Sequence, residues 1–204
     1  MTAAGSDPTP RRQQILEALA RELEQAPGQR ITTAALARSV GVSEAALYRH
    51  FPSKARMFEG LLEFAEEAVF GRVARILEEA GDAPRRCGQI LALVLAFAER
   101  NPGITRILLG DALVGETPRL RARVEQFFRR LETQLKQELR EGELRGEIPR
   151  GRSPSAASAL LVAVIAGRLV RFVQSGFAER PTADWDAQWT LLVSGLLSGA
   201  EVED

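Results

Sequence analysis

GVSEAALYRHFPSK, residues 41–54, runs from a glycine and a serine into a short apolar turn, then sets Tyr48, Arg49 and His50 side by side before Pro52. Ser43 is a good helix N-cap, and Glu44 suits the positive end of the helix dipole behind it. Gly41 takes the left-handed conformation that ends the preceding segment, TAALARS, whose own cap is Thr32 or Thr33. Two short helices separated by a glycine turn make a helix-turn-helix. Leu36, Val40, Val42 and Leu47 then share a small core with Leu16 and Leu19 of an earlier helix.

At about 100° per residue the second of these helices turns Ala46, Leu47 and His50 to one side and Glu44, Ala45, Tyr48 and Arg49 to the other. A carboxylate, a methyl group, a phenol and a guanidinium therefore share the outward arc. In a DNA reader the start of such a helix meets base edges in the major groove. Ala45 is placed for a thymine methyl, and Glu44 either accepts from a cytosine amino group or simply favours the dipole. Tyr48 and Arg49, further along, reach phosphates. Lys54 follows the cap Ser53 at a helix end where the dipole disfavours a cation. With the free N–H groups there it makes a phosphate site. His50 is the only histidine; it either bonds the last carbonyls of its helix or donates to a phosphate, and both readings stand.

The wider composition is neutral. Among 204 residues, 27 basic side chains balance 27 acidic ones. The distribution is uneven. Arg30, Arg38, Arg49, Lys54 and Arg56 face one acid, Glu44, whereas residues 179–204 hold six acids and only Arg180. A local basic patch of this kind points to nucleic acid. Cys87, the only cysteine, allows no intrachain disulfide and suits a reducing cytosol. Residues 1–10 read as a disordered lead-in without a signal-peptide core. The apolar run AASALLVAVIAG stops at Arg168, too short to span a bilayer. A cytoplasmic location is expected. With no nucleophile–base pair, Gly-rich phosphate loop or metal-ligand spacing, no catalytic residue, cofactor or metal is expected.

Helical periodicity dominates the chain, and the fold class is all-α. A first helix, stopped before Pro27 and Gly28, and the two short helices form a head over residues 11–56. A helical bundle follows over 57–200, entered by a long helix that keeps its apolar stripe from Phe58 to Leu77 and ends near Gly81. The penultimate helix, from Ser155 to about Ser175, is apolar nearly all round, which suits burial on more than one side. Its second covering surface is either another subunit, giving a homodimer, or the rest of a monomeric bundle. A last helix runs from Asp184 to about Ser198. Trp185 and Trp189, four apart, share a face and either pack that end of the bundle or line a cavity.

A first helix, then ITTAALARSVGVSEAALYRHFPSKARMF, then a helical bundle resembles the TetR family of dimeric DNA-binding regulators, over roughly residues 11–60. That resemblance implies a three-helix head on a larger homodimeric bundle. It also matches Thr32, Thr33, Ser43, Tyr48, His50 and Lys54 to positions that commonly touch DNA, which favours phosphate contact for His50 and Lys54. FAERNPGITRIL, RLETQLKQELRE and RFVQSGFAERPTADWDAQW extend the likeness to the nucleoid occlusion branch. Its members bind palindromic chromosomal sites and antagonise the division protein FtsZ. Nucleoid association and partner contact at Arg72, Leu93, Arg100 and Asn101 are what this implies, with Ala96 standing where a glycine is expected and narrowing the groove. On the residues alone, the helix end AERNPG either receives an acidic, partly hydrophobic peptide or merely caps itself. The alternative within the fold is a ligand-responsive repressor with a closed apolar cavity.

Overall fold

The computed structural model describes residues 11–25, 31–113 and 115–197. The lead-in, the stop at Pro27–Gly28, Arg30 and Ser198 lie outside the described residues. Within them the chain forms α1 (Arg11–Gln25), α2 (Thr33–Val40), α3 (Glu44–His50), α4 (Lys54–Glu78), α5 (Ala83–Arg100), α6 (Pro102–Leu108), α7 (Pro118–Arg145), α8 (Pro154–Gln174) and α9 (Trp185–Leu196). A 3-10 turn over Asp111–Leu113 lies between α6 and α7.

The starts and stops follow their side chains. Thr32, rather than Thr33, caps α2 by accepting from Ala35 N at 3.2 Å, and Gly41 closes it at φ +72°. Ser43 and Ser53 cap α3 and α4 in the same way, each at 3.2 Å. Each cap satisfies one of the N–H groups a helix start leaves open. The Pro52–Ser53 break ends α3 at His50, and α4 then runs 25 residues, about 37 Å, from the head into the body.

The core is continuous from head to body. Ile15, Leu19, Leu36, Leu47 and Phe51 pack with Phe58 and Leu62 of α4, and the same cluster runs on through α5, α7 and α8. Val40 and Val42, expected inside, are only half-buried at its edge. Between α1 and α6 the backbones come very close: a Cβ on Gly103 would lie 2.1 Å from Ala20 O. Arg106 of α6, itself buried, donates to Leu23 O at 2.6 Å and pairs with Asp111 at 2.8 Å. A cation thus closes one of the open carbonyls at the end of α1. Deeper in the body, Arg86 is bonded to Glu138 at 2.9 Å and to Gly81 O at 2.6 Å. Burial keeps the neighbouring Cys87 thiol far above its usual pKa, so it stays protonated.

At the carboxy-terminal end the tryptophans pack. Their rings stack at 5.9 Å, Trp185 is buried, and Trp189 lies against Gly88, where a Cβ would meet its Nε1 at 2.5 Å. The 21-residue α8 is longer than its apolar run suggests, and a mean hydropathy of 1.9 makes it apolar enough to cross a membrane by length and composition alone. In the fold it does something else. Ala157, Leu161, Ile165, Leu169 and Phe172 are buried in the bundle, while Ala156, Leu160, Ala163, Gly167 and Val170 form an exposed stripe. Expected to be covered on more than one side, α8 has one covered side within the single chain.

Candidate nucleic-acid interface

The helix-turn-helix presents one polar surface. Thr32, Ser43, Glu44, Ala45, Tyr48, Arg49 and His50 are exposed, and only Thr33 and Lys54 of the expected set are half-buried. His50 corrects the helical-wheel reading: it does not join Leu47 on the inner side, because α3 ends there and the chain turns away through Phe51, which takes the buried place instead.

Three side chains expected to be free are occupied. Thr33 donates to Glu44 Oε2 at 2.9 Å, and the Tyr48 hydroxyl stands 3.4 Å from Thr33 Oγ1. This small network ties α2 to α3 across their outer faces and fixes Glu44 against a threonine before any base is met. Thr32 and Ser43 spend one acceptor lone pair on capping, yet their hydroxyl hydrogens remain to be donated outward. Lys54 differs most from the sequence expectation. Its ammonium is 2.8 Å from Glu116 Oε1 and 5.4 Å from the centre of the Phe58 ring. The sequence interval between Lys54 and Glu116 hides this pairing; only the return of the chain at the start of α7 reveals it.

Arginines surround the same corner. Arg56 binds Glu59 at 2.7 Å, and Glu59 also holds Arg119 of α7 at 3.3 Å. One turn on, Arg123 takes Glu66 at 2.9 Å and Glu63 at 3.3 Å. A ladder of ion pairs therefore fastens the first turns of α4 to the first turns of α7.

A second feature lies between α4 and α5. Phe64 is 43 % exposed, and its ring lies 6.2 Å from that of Phe97. These two residues sit at similar chain distances from the link after Glu78, as in an antiparallel hairpin. On that antiparallel register Ala68 stands level with Leu93 and Arg72 level with Gln89, in the first half of α5. Phe64, Ala68 and Arg72, spaced by four, are all exposed on one face of α4. Arg100 is exposed and Leu93 half-buried at the other wall. At the Phe64 end a cleft of about 200 Å³ opens between α1 and α4, lined by Gln13, Leu16, Glu17 and Ala20 as well as Leu61, Asn101 and Ile104.

The other polar groups here have structural duties. Asn101 Nδ2 donates to Phe97 O at 2.8 Å, so its amide closes α5 as the plain capping reading holds. Glu99 is bonded to Thr182 and, at 2.7 Å, to Arg180; these bonds lower its carboxyl below the usual range and tie it to the segment before α9. Phe64 is the residue that sequence reasoning missed. Phe64 stands off the apolar stripe of α4, about 100° round the helix from Ala65, and only its exposure beside Phe97 marks it.

Comparisons with known proteins agree with this architecture. Residues 15–61 match the family described as bacterial regulatory proteins, tetR family, and residues 82–197 match the SlmA-like family described as tetracyclin repressor-like, C-terminal domain. Nucleoid occlusion factor SlmA of Alteromonas mediterranea is 58% identical over 185 residues, 89% of this chain and 93% of that one. The protein of the same name from Shewanella halifaxensis is 54% identical over 194 residues, 95% of this chain and 98% of its own. Among solved structures, the MbdR regulator from Azoarcus sp. CIB superposes with a TM-score of 0.78 at 17% identity, covering 92% of this chain and 99% of the other.

Proposed function

We propose, from the premise that the chain belongs to the TetR family of DNA-binding regulators and within it to the nucleoid occlusion factors, that two copies bind a palindromic DNA site and restrain FtsZ. The observation that carries DNA binding is the single exposed face of Thr32, Ser43, Ala45, Tyr48, Arg49 and His50 on a capped helix-turn-helix. The start of α3 enters the major groove with Ala45 foremost, while Tyr48, Arg49, His50 and Lys54 take phosphates. The protein acts in the cytoplasm, on the nucleoid.

Dimerisation is supported by the uncovered stripe of α8. Small residues there let a second helix approach closely, and Leu160, Val170 and Leu191 of α9 are large apolar groups left in solvent at 46 %, 36 % and 72 %. A two-fold axis through this face duplicates the heads, which is what a palindrome requires.

For the partner, the α4–α5 groove supports an acidic, partly apolar peptide. Phe64 and Leu93 supply the apolar wall, and Arg72 and Arg100 supply exposed cations. We assign the FtsZ contact to Arg72, Leu93, Arg100 and Asn101, with Phe64 added; the Asn101 contribution falls to its side-chain oxygen, since its amide nitrogen donates to Phe97 O and its backbone N–H and C=O are bonded to Ala98 and Thr105. The rival reading, a repressor released by a small molecule, needs a closed apolar cavity. The bundle interior is instead filled by Val69, Val73, Leu91, Leu95, Phe127, Leu131, Leu161 and Ile165, all buried.

Two measurements test the parts separately. Lys54→Ala weakens binding to every duplex by about tenfold, and reduces the slope of log affinity against log salt, because a phosphate contact carries no sequence information. Unchanged affinity in a titration of labelled duplex removes Lys54 from the interface. Arg100→Asp leaves DNA affinity intact and abolishes the effect of the DNA-bound protein on FtsZ polymers, read by light scattering. If the variant still acts on polymers as the wild type does, the groove is not the FtsZ site.

A further inference from the structure

The cation at the foot of α4 is already taken in the free protein. Lys54 and Glu116 are 19% and 10% exposed, so their 2.8 Å pair is largely shielded from water. The Phe58 ring lies to one side of the ammonium. Such a pair is stronger than an open surface contact. Glu116 belongs to the turn between the 3-10 segment and α7, where Gly115 supplies a φ of +81°. The other acid of this corner, Glu59, is engaged by Arg56 and Arg119. Glu116 is therefore the group that neutralises Lys54.

We propose that Glu116 stands in for a DNA phosphate and is a positioning residue of the interface: it holds Lys54 in the free protein and releases it when the DNA backbone arrives. This rests on the DNA-binding reading above. A phosphate within hydrogen-bond reach of Nζ would lie only about 6 Å from the Glu116 carboxylate, two bond lengths away. Two anions at that distance in a partly dry corner repel, so one contact yields. The exchange has a mechanical consequence. Once Lys54 changes partner, the turn at Glu116 loses its tie to the foot of α4, while the Glu59–Arg119 and Glu66–Arg123 pairs still hold α7 to α4.

The exchange also has a salt signature. In the wild type the released carboxylate takes up a cation while the phosphate loses one, so part of the counterion release cancels. The test uses the full-length protein and a duplex selected by the wild type from a random pool, titrated at several salt concentrations. Glu116→Gln is expected to bind about fivefold tighter, the scale of one partly shielded ion pair, with a slope steeper by about half of one phosphate contact. In a Lys54→Ala background the same change is expected to do nothing. Unchanged or weaker binding of Glu116→Gln overturns the exchange, as does a gain that persists without Lys54, which would be simple removal of a negative charge. If Lys54→Ala itself binds like the wild type, the phosphate role of Lys54 fails first. Melting followed by circular dichroism confirms that each variant is folded before it is titrated.

Discussion

Replacing both Leu160 and Leu191 with glutamate is expected to yield a folded monomer whose affinity for a palindromic duplex is lower by about a hundredfold or more. Neither side chain belongs to the core of the single chain; they are 46% and 72% exposed. Folding therefore survives the change. Association does not, because four carboxylates would meet across a two-fold axis in a surface stripped of water. The loss of DNA affinity then comes from linkage rather than contact. In a dimer the second head binds at an effective concentration near the millimolar range, and a monomer forfeits that advantage while keeping every residue of its reading surface. Sedimentation velocity reports the assembly and fluorescence anisotropy the affinity. A double variant that still sediments as a dimer would show that α8 and α9 are not the joining face.

This prediction also marks what the sequence discloses and what it withholds. The all-α class, the long α4 and the helix-turn-helix follow from caps and apolar spacing, because those signals are local. Ser43, Gly41 and Ser53 each act within four residues of their own position. Burial of α8 is legible only as a total. Composition says that both faces are apolar, but which face meets the bundle depends on where α7 runs. The ion pairs are less legible still. Lys54–Glu116 and Arg123–Glu66 join residues about sixty positions apart, and nothing local to either member announces the other. A lysine at a helix start reads as unfavourable until the acid that compensates it is brought round by the fold. Phe64 is hidden for another reason: it stands off the apolar stripe of α4, and only the fold sets its exposed ring beside Phe97.

The contact between head and body makes the second large prediction. Gly103→Ala is expected to destabilise the protein by about 3 kcal/mol or more, lowering the melting temperature by about 6–12 °C. An added methyl would stand 2.1 Å from Ala20 O, 3.0 Å from Ala20 C and 3.1 Å from Leu23 Cβ. The nearest obstacle is backbone, so no rotamer change relieves it, and α1 must move off α6. That movement stretches the 2.6 Å bond from Arg106 to Leu23 O, leaving a buried guanidinium and a helix-end carbonyl less well matched. Gly71→Ala supplies the contrast. Gly71 is exposed within α4 and has nothing within 4 Å of its would-be Cβ, so the same methyl should stabilise the helix by up to about 1 kcal/mol. Opposite signs for one chemical change, read by thermal melts, isolate the close approach of α1 to α6 from helix propensity. The consequence extends to DNA, since α1 carries the helix-turn-helix and α6 belongs to the body. A head displaced from α6 loses its fixed bearing toward its partner head, and the spacing of two half-sites is then held by α4 alone. Gly103→Ala that melts with the wild type would mean that α1 and α6 part at little cost, and that the orientation of the head is set elsewhere.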